Sequence, residues 1–81
     1  MILKESIDIQ QFLKDVLKCK GDVCYSTNEG DYLNLKSQLS QFIFLIIYPK
    51  QNNMLSGQIT ITNNEDQMII AKYTDNITLD L

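Results

Sequence analysis

The sequence predicts a single small α+β domain spanning residues 1–81. Three patterns point to it. Apolar residues recur at helical spacing from Ile9 to Leu17. Residues alternate between apolar and polar over 22–27, 32–35 and 54–62, the mark of half-buried strands. Gly30 sits in the Asn28-Glu29-Gly30-Asp31 turn between the first two runs. The expected element order is a short first strand, then α–β–β–α–β–α.

Met1 to Ser6 begins with Ile2 and Leu3 and is expected to form a brief edge strand or to fray. Asp8 suits the N-cap of the first helix, with Gln11 three residues on as in a capping box and Ile7 and Phe12 as a hydrophobic staple. Ile9, Phe12, Leu13, Val16 and Leu17 define its buried face, and Gln10, Gln11, Lys14, Asp15 and Lys18 its wet side. Lys18 and Lys20 favour the negative end of the helix dipole, and Gly21 offers a left-handed stop.

Val23, Tyr25 and Thr27 share one face of the next strand, with Cys24 and Ser26 on the other. Gly30 is available for positive φ in the turn, and Tyr32 to Leu35 returns antiparallel. Ser37 is the expected N-cap of a second helix. Leu39, Phe42, Ile43, Ile46 and Ile47 fit its buried face, with Phe44 and Leu45 pointing away. The run Phe42 to Ile47 also fits a buried strand. Helix is preferred from Ser37 to about Ile46, stopped by Pro49, with a polar loop at Lys50-Gln51-Asn52-Asn53.

From Met54 to Thr62, Leu55, Gly57, Ile59 and Ile61 form the dry face of a strand with one wet side. Asn63 or Asn64 caps a third helix with Glu65 and Asp66 in its first turn. Met68 and Ile69 continue it, with Lys72 and Tyr73 at its far end. Ile77-Thr78-Leu79 is a last alternation, readable as a docked tail, a small strand or a partner-binding end.

Composition excludes several function classes. Seven lysines face ten acidic residues, for a net charge of −3, with neither Arg nor His. A nucleic-acid binder would carry a basic patch. Without imidazole there is no His acid–base catalysis, phosphohistidine or His-ligated metal. Cys19 and Cys24 cannot alone make a structural zinc site, and their spacing is not a C-x-x-C pair. A disulfide between them needs Cα atoms within about 7 Å. No basic region precedes an apolar signal core, and the longest apolar run, Phe42 to Tyr48, is too short to span a bilayer. The expectation is a soluble cytoplasmic protein with no cofactor, metal, nucleic acid or membrane.

Asp22-Val23 opening a strand, the Gly30 hairpin, Leu33-Asn34-Leu35-Lys36-Ser37 entering a helix, and Gln58-Ile59-Thr60-Ile61-Thr62 leading to Glu65-Asp66 together resemble HPr. HPr is the phosphocarrier of the bacterial sugar phosphotransferase system. Asn34-Leu35-Lys36-Ser37 with Leu39-Ser40-Gln41 is also similar to small bacterial proteins carrying a poly(A) polymerase label, although no Gly-Ser…Asp-x-Asp nucleotidyltransferase motif is present. The HPr resemblance implies an open-faced two-layer sandwich, with an antiparallel sheet in order 1-4-2-3 and helices on one face. Where HPr carries its phosphorylated His, then Arg and Pro, this chain has Lys4-Glu5-Ser6-Ile7-Asp8-Ile9 and none of the three. Phosphohistidine transfer is therefore excluded. Ser37 matches the serine that HPr presents to a regulatory kinase. Leu39, Phe42 and Phe44 fall where HPr docks partner proteins. The segment between Ser37 and Ile59 is longer than in HPr.

The expected function is a non-catalytic HPr-like protein-binding or regulatory module. Ser37 is its regulatory residue, and Leu39, Phe42 and Phe44 contact a protein partner or a second copy. The alternative is a small ligand-binding domain or enzyme subunit using carboxylates or backbone amides. Glu29, Asp31, Glu65 and Asp66 are the acids available to it, although a hairpin tip and a helix start call for such residues anyway. Tyr25, Tyr32, Tyr48 and Tyr73 are expected to pack on the sheet and its rim.

Overall fold

The computed structural model describes residues 1–4, 7–27, 29–48 and 57–75. Its elements are β1 (Ile2–Leu3), α1 (Ile9–Val16), β2 (Val23–Thr27), β3 (Tyr32–Asn34), α2 (Gln38–Ile47), β4 (Gly57–Ile61), α3 (Gln67–Ile70) and β5 (Thr74–Asp75). Short 3₁₀ turns at Asn64–Asp66 and Ala71–Tyr73 flank α3. The third helix is thus broken into three pieces. The α+β class holds. The expectations for Pro49 to Asn53 and for Ile77 to Leu79 lie outside the described residues.

The strands form two antiparallel sheets, one in order β3-β2-β4 and one pairing β1 with β5. Tyr25 is the hub of the larger sheet, paired with Leu33 on one side and Ile59 on the other. In the smaller sheet Ile2 faces Asp75 and Leu3 faces Thr74. Met1 also exchanges two backbone hydrogen bonds with Ile59, at 3.2 and 2.6 Å. The start of the chain therefore lies beside β4.

Local chemistry explains the boundaries. The Asp8 carboxylate accepts from the Gln11 N–H at 3.1 Å and starts α1. The Gln11 side chain does not close a capping box; it donates to Asp15 at 3.1 Å instead. The chain turns at Leu17, the C-cap of α1, so Leu17 is exposed rather than part of the buried face. Gly30 alone has positive φ among the described residues, at 95°, as its place in the β2–β3 turn requires. Gly21 is not the left-handed stop expected of it. It is glycine because the chain passes close to the end of β4: an added Cβ would lie 2.6 Å from Thr62 Oγ1 and 2.9 Å from Asn63 Cβ.

One core joins the layers. Phe12, Leu13 and Val16 from α1, Phe44 from α2 and Ile70 from α3 meet Val23, Tyr25 and Ile59 from the sheet. Leu3, Leu35 and Tyr73 close its edges. Each fully buried large apolar side chain contributes about 1.5–3 kcal/mol. The alternation expected of β4 is present: Ile59 is buried, while Gln58 and Thr60 are exposed. On the outer face of β2, Cys24 is buried beneath the Tyr32 hydroxyl, which donates to its Sγ at 3.2 Å.

Candidate functional site

The second helix begins where β3 ends. Asn34 Oδ1 accepts from the Lys36 N–H at 3.0 Å, turning the chain, and Leu35 is fully buried as the anchor of that turn. Lys36 Nζ donates back to the Cys19 carbonyl, tying the turn to the segment after α1. Ser37 then caps α2, its Oγ accepting from the Ser40 N–H at 3.4 Å. The expected N-cap role is present, and the Ser37 side chain is exposed.

The rotation of α2 differs from the expectation. Phe44, expected on the outside as a contact residue, is fully buried. Its ring stands edge-on to Tyr25 at 4.9 Å, stacks on Tyr48 at 5.1 Å and tilts against Phe12 at 6.2 Å. Gln41, one turn earlier, points the same way. Its amide nitrogen donates to the Leu13 carbonyl at 3.1 Å and the Leu35 carbonyl at 2.9 Å, clamping α2 to α1 and to its own entry turn. The inward stripe is therefore Gln41, Phe44 and Tyr48, with half-buried Ile47 packed against the core as expected. A ring that completes an aromatic cluster, together with an amide that satisfies two carbonyls, outweighs the simple count of apolar residues on the opposite face.

That rotation leaves the opposite face in water. Leu39 is 69% exposed, Phe42 65%, Ile46 50%, Leu45 41% and Ile43 37%. Leu39, Phe42, Ile43 and Ile46 fall at i, i+3, i+4 and i+7, one stripe along the helix. No residue of Gln38–Ile47 carries a charge. The structure thus brings Leu39 and Phe42 together on one exposed surface and removes Phe44 from it. By spacing, Leu39, Phe42, Ile43 and Ile46 alike are expected on the buried face; all four lie on the exposed stripe instead. Phe44 and Tyr48 lie four residues apart, but so do Leu39 and Ile43, and Phe42 and Ile46, so spacing alone does not mark the inward face.

Two buried carboxylates also escaped the sequence. Asp15, expected on the wet side of α1, is 4% exposed. The Tyr73 hydroxyl donates to it, Gln11 adds a second bond, and Lys18 and Lys72 each approach to 3.4 Å. The Tyr73 bond is the main reason that Asp15 is held down to about 2. Burial, with the Asp15 contact, pushes the Tyr73 hydroxyl up to about 12. Asp66 is 2% exposed and accepts from the Lys20 and Gly21 N–H groups, both at 2.8 Å. Those bonds lower its pKa. Both carboxylates thus face protein donors and tie α1 and its following loop to the region of α3.

The surface acids occupy plain structural positions. The Thr27 hydroxyl donates to Asp31 at 3.0 Å in the hairpin, and Lys20 meets Glu65 at 2.6 Å. Among the described residues no group of three or more Cys, Asp or Glu side chains is arranged to hold a metal. Cys19 and Cys24 are both buried free thiols, and burial pushes the Cys19 thiol up. Among the described residues no helix is long and apolar enough to cross a membrane.

No protein-family model matches this chain, and neither a curated protein nor a solved structure matches it. The functional argument therefore rests on the geometry above.

Proposed function

We propose that this chain is a non-catalytic protein-binding or regulatory module with an HPr-like fold, and that it engages its partner through the outer face of α2. The observation that carries the proposal is the exposed stripe Leu39, Phe42, Ile43 and Ile46 on a helix without charge. Contiguous apolar surface of this kind on a small domain marks a contact site. The HPr-like part has separate support. The element order agrees with it as far as α3, after which β5 is an addition paired with β1, and the reciprocal Met1–Ile59 bonds favour reading β1, β4, β2 and β3 as neighbours in order 1-4-2-3. With no His in the chain, phosphohistidine transfer has no residue to carry it.

Ser37 is the regulatory residue of the proposal, in a bacterial cytoplasmic setting. A phosphate on its exposed hydroxyl would be stabilised by the first N–H groups of α2. It would also bring a charge of about −2 to the end of the stripe, next to Leu39. Apolar contact would then weaken.

The test is affinity capture with the wild-type chain and with Phe42→Asp, followed by binary binding of the purified captured protein. Binding that Phe42→Asp abolishes, while the variant keeps its circular dichroism spectrum, is the expected result. Equal binding by both forms would refute the α2 surface. For Ser37, treatment with an HPr kinase should add one phosphate that Ser37→Ala does not accept. No mass gain would remove the regulatory role.

A further inference from the structure

The proposal that α2 is a contact surface leaves its occupant open, and the geometry points to a second copy of this chain, paired α2 against α2 about a two-fold axis near Phe42 and Ile43. The inference rests on the contact-surface proposal and names its partner. Three features lead to a copy rather than to an unrelated protein.

The first is area. At about 180 Å² for a fully exposed side chain of this size, Leu39, Phe42, Ile43 and Ile46 leave roughly 400 Å² of apolar surface in water. A standard interface covers ~800 Å² per partner, and in homodimers about 65% of it is apolar. The apolar core of such an interface is thus about 500 Å², close to what this helix offers. The second is charge. The chain carries a net −3, so two copies repel each other overall, yet Gln38–Ile47 has no charged residue. Two α2 helices can meet without placing like charges opposite each other, and the face offers no ionic handle for a charged partner. The third is spacing. Leu39, Phe42, Ile43 and Ile46 repeat at three and four residues, the ridge that packs into the same ridge of another helix. The stripe is symmetric about its midpoint, as a self-complementary contact requires.

Antiparallel alignment follows from the helix dipoles, because parallel pairing would set two positive N-terminal ends side by side. In that arrangement Leu39 of one copy meets Ile46 of the other, and Phe42 meets Ile43.

Sedimentation velocity of the full chain across a concentration series tests the pairing. The wild type should pass from 9.4 kDa to twice that mass, and Phe42→Asp should stay at 9.4 kDa throughout. Leu39→Lys, read in parallel, guards against a folding defect specific to Phe42→Asp, with circular dichroism confirming that each variant is folded. Leu39→Cys mixed with Ile46→Cys should form an intermolecular disulfide under mild oxidation, and Leu39→Cys alone should not. A wild type that stays at one chain mass overturns the homodimer. If that monomer still binds another purified protein through Phe42, the contact surface stands and only the copy is refuted. A dimer unaffected by both Phe42→Asp and Leu39→Lys would equally overturn the α2 pairing.

Discussion

Replacing Phe44 and Phe42 in turn by Ala separates the two faces of α2 more sharply than any other pair of substitutions. Phe44 is fully buried among Phe12, Tyr25 and Tyr48. Truncation removes about 150 Å² of buried apolar surface, or roughly 4 kcal/mol at ~25 cal/mol per Å². That falls in the usual range of about 3–5 kcal/mol for buried Phe→Ala, in which the residual cavity is included. A chain of this size has about 4–12 kcal/mol of total stability, so the loss removes a large part of it. Phe42 is 65% exposed, so folding covers only a third of it. Its truncation costs ~1–1.5 kcal/mol in lost contact, and Ala returns about 0.5 kcal/mol in helix propensity. The net is about 1 kcal/mol or less. Urea unfolding by far-UV circular dichroism, at concentrations low enough to keep the chain monomeric, measures both. The expected result is a large drop in midpoint for Phe44→Ala and a small one for Phe42→Ala, with equal slopes. A Phe42→Ala loss as large as that of Phe44→Ala would refute the rotation of α2, and with it the exposed stripe.

Other consequences follow from the buried polar contacts. Asp15 has a folded pKa of about 2, below its unfolded value of about 3.9, so its ionised form favours the fold above pH ~4 and that stabilisation is lost as pH falls towards 2. Asp15→Asn should therefore flatten the acid limb of a stability–pH curve measured between pH 5 and 2. For Tyr73 the sign is reversed: its pKa rises to about 12 on folding, so stability should fall as pH climbs from about 10 to 12, and Tyr73→Phe should reduce that dependence, leaving the part due to Tyr25 and Tyr32, whose pKa values are also raised. Gly21→Ala should cost about 1–3 kcal/mol by overpacking against Thr62 and Asn63, read as a lowered urea midpoint. Ser37→Ala should cost about 0.5–1 kcal/mol, the low end of the range for a lost cap, because the Ser37–Ser40 bond is long at 3.4 Å.

Where local chemistry decides the structure, the sequence was legible. Asp8 and Ser37 cap their helices, Ile9 to Val16 turn a coherent stripe inward, Gly30 makes the hairpin, and Ile59 alternates with its neighbours. The rotation of α2 was not legible, because both of its faces are apolar and periodicity cannot choose between two apolar stripes. The choice is made by Tyr25, Phe12 and the carbonyls of Leu13 and Leu35, none of them on the helix. Asp15 misled for a similar reason: a carboxylate at a helix surface position reads as solvated, and its partner Tyr73 lies 58 residues away. Asp66 read as a first-turn acid, although its partners Lys20 and Gly21 follow α1. The β1–β5 pairing joins strands of two residues, too short for any alternation to register. The contact surface was therefore half visible: the HPr resemblance placed Leu39 and Phe42 on it, while helical spacing placed both of them, with Ile43 and Ile46, on the buried face.

Carbene footprinting of α2 side chains, in dilute purified protein and in native lysate, tests most directly whether this surface is used. Labelling of Leu39, Phe42, Ile43 and Ile46 should be strong in the dilute chain and fall in lysate, while Phe44 stays unlabelled in both. Equal, strong labelling of the stripe in the two conditions would contradict the contact surface on which the functional account depends.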